Sequence, residues 1–242
     1  MKKYYYDFHI HSCLSPCGDD DSTPNNIAGM ASLCELDIVA LTDHNTAKNC
    51  PAFFEAAEKY GIIPIAGMEL TTSEDIHVVC LFEFLSDALD FDKYIEKQRT
   101  LIKNRPDIFG KQLILDGKDE VIGEEEFLLT NATYISIEDI YQTVKKFRGI
   151  CYPAHIDRDS NGIVAILGAI PPDTEFRFFE IREKESIASI CARHSIPTDR
   201  ILISSDAHLL ESMRDKENFL LLDANEGDAA GVRAKLFELL RD

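Results

Sequence analysis

The chain has 242 residues, 45% hydrophobic and 28% charged, with a formal net charge of −18. That length suits one α/β barrel or two small domains, and with no composition break residues 1–242 read as a single domain. No apolar run reaches the roughly 18 residues of a membrane span, and the N-terminus meets Asp7 and His9 before any apolar stretch, so neither a span nor a secretory signal is expected.

In chain order, KKYYYDFHI, LDIVALTDH, IIPIAGMEL, DIHVVCLFEF, RGICYPAH, FRFFEI and RILISSDAH read as short strands rich in Val, Ile, Leu, Tyr and Phe. Several are nearly all apolar, the pattern of strands buried on both faces of a parallel sheet. Between the first two, Thr23 stands as N-cap and Pro24 at N1 of a helix; a second helix, PAFFEAAEKYG, closes at Gly61. Further on, Ser136 and Asp139 form a capping box for SIEDIYQTVKKF, SIASICARH is helical, and DAAGVRAKLFELLRD is a final helix expected on the outside. The alternation predicts a TIM-like barrel with its functional residues at the C-terminal strand ends. A segment at about 86–133 breaks the rhythm and reads as an insertion: DKYIEKQRTLIKN is helical in pattern and KQLILDGKDEVIG is a hairpin turning at Asp116-Gly117.

The acidity argues against non-specific duplex nucleic-acid binding, which needs clustered Lys and Arg, and leaves a small phosphorylated substrate, a nucleotide or a short oligonucleotide steered by bound cations. Seven cysteines without a C-x-x-C pair fit reduced thiols and a cytoplasmic location. Cys13 and Cys17, close to His9 and His11, imitate half of a structural zinc site, but a compact zinc module would leave the later histidines unexplained.

Six of seven histidines sit in short motifs at strand ends: His9, His11, His44, His77, His155 and His208. Glu69 and Asp206 add carboxylates at equivalent positions, and imidazole with carboxylate suits Zn, Mn, Fe or Ni. Side chains two apart in a strand share a face, so His9-x-His11 and Asp206-x-His208 each present a pair. Asp43, facing the other way from His44, reads as orienting a liganding imidazole. His194, at a helix end, reads as a solvated or capping residue.

The motifs HIHS, TDHN, GMEL and DAH, in that order, give the chain a resemblance to the PHP (polymerase and histidinol phosphatase) domain family over nearly its whole length. The resemblance implies a distorted (β/α)7 barrel holding two or three divalent ions (Mn, Zn or Fe) and phosphoester hydrolysis. It implies a first site of His9, His11, Glu69 and Asp206, a second sharing Glu69 with His77 and His155, and a third using His44 and His208. Many members place the remaining third-site ligand five residues after the second histidine of the first motif, where this chain has Pro16. Asp19 or Asp20, turned back by Gly18, is the expected substitute, with Asp21 next to them; the alternative is that GDDD caps the following helix.

The expected reaction is attack of metal-activated hydroxide on a phosphate mono- or diester, with Glu69, Asp206 and Arg158 as the catalytic set. Arg158 is the leading phosphate binder and Asn45, Lys48 and Arg182 are secondary candidates; the competing reading pairs Arg158 with Asp157 or Asp159 at the surface. The alternative functions are an amidohydrolase-like C–N hydrolase, a class that usually bridges its metals with a lysine where this chain offers Glu69, and a catalytically silent metal-binding scaffold.

Overall fold

A computed structural model describes residues 1–225 and 227–241. Its centre is a six-stranded sheet, ordered β10-β1-β2-β3-β4-β7 and curled into a half barrel. The strands are β1 (Lys2–Ile10), β2 (Ile38–Leu41), β3 (Ile63–Thr71), β4 (His77–Phe82), β7 (Ile150–Pro153) and β10 (Phe219–Leu222). Both faces are buried, as the apolar runs predicted. Val39 and Leu41 of β2 and Val78, Cys80 and Phe82 of β4 face one core, while Ile38, Ala40, Val79 and Leu81 face the other.

The sheet is mixed, which corrects the parallel expectation. β1, β2 and β3 run parallel, but β4 is antiparallel to β3 and β7 antiparallel to β4. The cause is the short connection after β3: Thr72 N donates to Ile76 O at 2.8 Å, closing a turn with Asp75 at φ 62, too short for a crossover helix. Strand pairing does not close a ring among the described residues. A separate parallel pair, β8 (Phe179–Ile181) with β9 (Ile201–Ile203), is tied to the residues after β7 by Ile156 N to Glu180 O, 2.9 Å, and to those after β1 by His11 N to Ala207 O, 2.9 Å.

Helices α1 (Pro24–Leu33), α2 (Cys50–Tyr60) and α3 (Leu85–Ile95) cover the outer face. Thr23 caps α1 through its side chain, Pro24 begins it, and Gly61 ends α2 in the left-handed conformation, φ 70. Ala88, Phe91 and Ile95 of α3 enter the core, so the first part of 86–133 packs with the outer helices; the segment after Ile95 is the irregular one. That segment holds the four-residue α4 (Pro106–Phe109) and the predicted hairpin, β5 (Leu113–Leu115) with β6 (Val121–Glu124). The later helices are α5 (Ile140–Lys146), α6 (Ile163–Leu167), α7 (Ile187–His194) and α8 (Ala229–Arg241). Just before α5, Asp139 N donates to Ser136 Oγ at 3.2 Å, half of the expected capping box; the other bond runs from Ser136 Oγ to Asp139 Oδ2 at 2.7 Å rather than from the Ser136 backbone N–H. No described helix is long and apolar enough to cross a membrane.

α8 does not join the outer helices. Its Val232, Leu236, Phe237 and Leu240 pack with Tyr4, Tyr6, Phe8, Ile65 and Leu81 on the opposite face of the sheet, because that face carries large apolar side chains. Asp242, the last residue of the expected final helix, lies outside the described residues.

Candidate metal centre

Each functional side chain reaches one end of the half barrel by a local device. In β1, Phe8 belongs to the inner core and Ile10 to the outer one, and the register with β2 shifts between Asp7 and Ile10. This irregularity breaks the two-residue alternation and turns His9 and His11 inward. His77 is the first residue of β4, not the end of a strand; since β4 runs antiparallel, Thr71 pairs with His77 and the imidazole lands at the same end as Glu69. Asp206 and His208 follow β9 in a loop rather than continuing the strand, Asp206 at φ 53. His155 and Asn45 are also left-handed, φ 29 and 51, so three residues of this end hold uncommon backbone.

Six imidazoles and two carboxylates converge there. Glu69 Oε1 lies 2.8 Å from His77 Nδ1, 2.9 Å from His155 Nε2 and 3.4 Å from His9 Nε2. Its Oε2 lies 3.1 Å from His44 Nδ1 and 3.3 Å from His11 Nε2. Asp206 Oδ1 is 3.6 Å from His9, 3.4 Å from His11 and 3.6 Å from His208. Three sets of ligand atoms have all members within 4.8 Å of one another: His9, His11, Glu69 and Asp206; His44, Glu69 and His77; and His11, His44 and His208.

The sets fit divalent cations. Glu69 Oε2, Asp206 Oδ1 and His44 Nδ1 are buried without a hydrogen-bond partner, a costly condition that coordination would relieve. The imidazoles are oriented from behind. Glu180 Oε1 accepts from His9 Nδ1 at 2.8 Å, which turns the Nε2 lone pair toward Glu69 and Asp206. His11 Nδ1 donates to Ser15 Oγ at 3.0 Å, and Ser15 Oγ donates to Asp43 at 2.7 Å. Asp43 therefore orients His11 through a serine, having been assigned by sequence to an unspecified imidazole. Glu180 was missed: it sits in FRFFEI, which reads as a plain strand.

Electrostatics show protons partly neutralising the cluster. Burial opposes charge on His9, but Glu180, Glu69 and Asp206 outweigh it and hold the imidazole well above its ordinary range. Against burial, the Asp206 and Glu69 carboxylates close to its Nε2 raise His11 to about 9. Burial lowers His44 well below its ordinary range and keeps His208 at about 4. Glu69, against burial, is held well below the carboxylate range by His77, His9 and His44, and Asp206 is lowered by His9 and His11.

Other candidates separate clearly. Arg158 Nη1 pairs with Asp206 Oδ2 at 2.8 Å, so it faces the cluster rather than Asp157 or Asp159. Arg182 Nη1 lies 3.7 Å from the same oxygen, and its Nε is buried without a hydrogen-bond partner. Lys48 is engaged by Glu125 and Glu96, and the Asn45 side chain is spent on Leu129 O, Asn131 O and Thr71 N, which removes both as phosphate binders. The Asp19 backbone lies beside the cluster, its N–H donating to His208 O at 3.0 Å, but neither Asp19 nor Asp20 joins a ligand set among the described residues: both are exposed, Asp19 Oδ1 accepts from Asp21 N, and Asp20 pairs with Lys111. All seven cysteines are free, and neither Cys13 nor Cys17 joins a ligand set among the described residues. His194 ends α7, outside these sets.

Residues 7–134, a little over half the chain, match the PHP domain. An uncharacterized protein of Methanocaldococcus jannaschii is 30% identical over 100 residues, which cover 38% of this chain and 58% of that one. The lesion-specific endonuclease Q of Pyrococcus furiosus matches with a TM-score of 0.64 and 19% identity, over 98% of this chain and 56% of that one. Endonuclease Q in complex with a 27-mer duplex bearing an abasic lesion at the active site gives 0.64 and 18%, over 99% and 57%. A Bifidobacterium adolescentis protein described as a metal-dependent phosphoesterase gives 0.57 and 18%, over 96% of both chains. The chain thus spans under two thirds of the first two relatives, and at these identities the structural likeness establishes the fold. The family match, with its motif residues gathered at one end of that fold, places this chain in the PHP domain family.

Proposed function

We propose that this protein is a metal-dependent phosphoesterase whose reaction takes place at the Glu69 cluster. The observation that carries this reading is the position of Glu69: five imidazoles lie within 3.4 Å of its two oxygens, and it belongs to two of the three ligand sets, as a carboxylate shared by two cations would. His9, His11, Glu69 and Asp206 would hold one ion; Glu69 with His77, flanked by His44 and His155, a second; and His11, His44 and His208 a third. Mn, Zn or Fe suits such imidazole-carboxylate sets. Bound divalent cations supply Lewis acidity toward phosphoryl oxygens and acidify water toward neutral pH.

The chain's own residues complete the site. Arg158, fixed against Asp206, directs its guanidinium to the edge of the cluster, where phosphoryl oxygens would lie. Arg182 adds a buried donor, Nε, that has no partner of its own. Glu180 and Ser15 hold His9 and His11 in the tautomer that leaves Nε2 free to bind. Net acidity does not exclude duplex nucleic acid as substrate: the fold is shared with endonuclease Q, which is seen with a lesion-bearing duplex. A nucleic-acid phosphodiester therefore stands beside small phosphorylated molecules as a substrate class.

Phosphomonoesters, phosphodiesters and amides should be assayed side by side with manganese, zinc and iron. Turnover of a phosphoester without amide turnover is expected. Amide hydrolysis alone would transfer the cluster to C–N chemistry, and an intact metal-loaded protein with no turnover would favour the scaffold reading.

A further inference from the structure

We infer that Asp157 is a positioning residue that sets Arg158 and Arg182 as one pair at the edge of the cluster; what the pair binds, a phosphoryl group, rests on the phosphoesterase reading. The two arginines come from different loops, Arg158 from the one after β7 and Arg182 from the one after β8. They meet at one atom: Asp206 Oδ2 lies 2.8 Å from Arg158 Nη1 and 3.7 Å from Arg182 Nη1. The other oxygen of Asp206, Oδ1, faces His9, His11 and His208. Neither guanidinium is used up by this contact. The side chains are 38% and 35% exposed, each guanidinium carries five N–H donors, and among the described residues Asp206 is the acid at ion-pairing distance from either.

Asp157 joins the two loops where the arginines depart. Its carboxylate accepts from Arg182 N at 3.1 Å, from Glu183 N at 2.9 Å and from Ser186 Oγ at 3.3 Å. These donors open the short 3-10 turn Lys184–Ser186 that leads into α7, so the carboxylate also caps that turn from another loop. In its own loop, Arg158 N donates to His155 O at 2.9 Å, closing a four-residue turn in which Asp157 is the third residue. The residue just before one arginine thus takes the backbone N–H of the other. Hydrogen bonds to a carboxylate are roughly twice as strong as those between neutral groups, which makes Asp157 a firm joint. Its oxygens are engaged by these donors, which is why Arg158 turns to Asp206 rather than to its neighbour.

The surrounding backbone is tied down as well. Ile156 N bonds Glu180 O at 2.9 Å, so the two loops leave the strands side by side. Farther along the Arg158 loop, Asn161 O accepts from His77 N at 2.8 Å, which anchors it on the first residue of β4. Arg214 Nη2 donates to Arg182 O at 2.6 Å, so both peptide groups of Arg182 are held, one by Asp157 and one by the loop that carries Asp206 and His208. Two arginines fixed in this way act on a ligand together, because long side chains held in place lose less freedom when they bind.

The test uses the manganese-loaded full chain, with circular dichroism and elemental analysis to check fold and metal content. Asp157→Ala should lower kcat/KM for bis(p-nitrophenyl) phosphate about tenfold and weaken inorganic phosphate, read by calorimetry, about fivefold. Asp159→Ala, two residues away and exposed, should change neither. Asp157→Asn, which keeps one acceptor oxygen, should fall between wild type and the alanine variant. In an Arg158→Ala/Arg182→Ala background, Asp157→Ala should change kcat/KM by less than about twofold, because the groups it positions are gone. A residue that only stabilised the loops would act equally in both backgrounds. Wild-type kinetics and phosphate affinity in Asp157→Ala, or in Asp157→Asn if the alanine variant does not fold, would overturn the inference, as would an equal effect in the two backgrounds. Wild-type protein that hydrolyses no phosphoester would contradict the phosphoesterase reading instead; the phosphate affinities then decide the inference, and failure of the wild type to bind phosphate would overturn it.

Discussion

His9 Nδ1 donates to Glu180 Oε1 at 2.8 Å, and neither side chain reaches solvent. The same oxygen accepts from His155 N at 3.1 Å, so one carboxylate fixes two members of the cluster. Glu180→Gln keeps the shape but weakens the hydrogen bond that makes His9 Nε2 basic. Carboxylates behind metal-binding histidines are typically worth about 10–100-fold in metal affinity, and a loss in that range is expected by titration calorimetry with manganese. Unchanged affinity would remove Glu180 from the account.

Because Glu69 belongs to two ligand sets and His77 to one, their removal should differ in stoichiometry. Glu69→Ala is expected to lose two ions per chain and His77→Ala one, read by elemental analysis after gel filtration. Equal losses would contradict the bridging role.

Metal and protons compete for the same nitrogens. In the metal-free protein His11 titrates at about 9, held up by Asp206 and Glu69 against burial, and His9 also lies above its ordinary range. Metal binding at pH 7 should therefore release protons, visible as a calorimetric heat that varies with buffer ionisation enthalpy, and affinity should rise with pH up to about 9. The stability of the metal-free protein should run the other way. A raised folded-state value adds stability fully present below the ordinary 6.5 and lost as pH rises through about 9, so the melting temperature in EDTA should fall across that window. A metal affinity independent of pH would contradict the protonated cluster.

Among the described residues, Asp206 is the acid at hydrogen-bonding distance from Arg158, 2.8 Å. Arg158→Ala should leave the metal content in place and lower kcat/KM for a phosphodiester about 10²-fold, the size found when one charge-stabilising donor is removed. Arg158→Lys should recover little, lacking the planar fork. Undiminished kcat/KM in the alanine variant would end its phosphate role.

Phe237 of α8 is fully buried on the inner face with Tyr6, Phe8 and Leu81. Phe237→Ala should cost about 3–5 kcal/mol in denaturant unfolding. A loss under about 1 kcal/mol would mean that α8 is not part of this core.

Much of this was legible in the sequence because local chemistry decided it. Thr23 and Pro24 start α1, Gly61 ends α2, and the histidine motifs lie where strand and loop signals meet. What stayed hidden depends on contacts distant in sequence. The direction of β4 follows from a short turn at Thr72–Asp75, and the inner-face seat of α8 follows from a surface assembled from seven strands. Glu180 is one acid among many until folding sets it behind His9, 171 residues away. The aspartates of GDDD fail for the converse reason: nearness in sequence to His11 does not turn them inward, and Lys111 holds Asp20 outside.

On the proposed reading, the Glu69 cluster hydrolyses phosphoesters when it holds metal. The most direct measurement is steady-state phosphodiester hydrolysis by protein stripped with EDTA and then reloaded with manganese, compared with Glu69→Ala treated identically. The expected result is activity that vanishes on stripping, returns on reloading, and stays absent in the variant. Undiminished hydrolysis by stripped protein, or by Glu69→Ala, would contradict it.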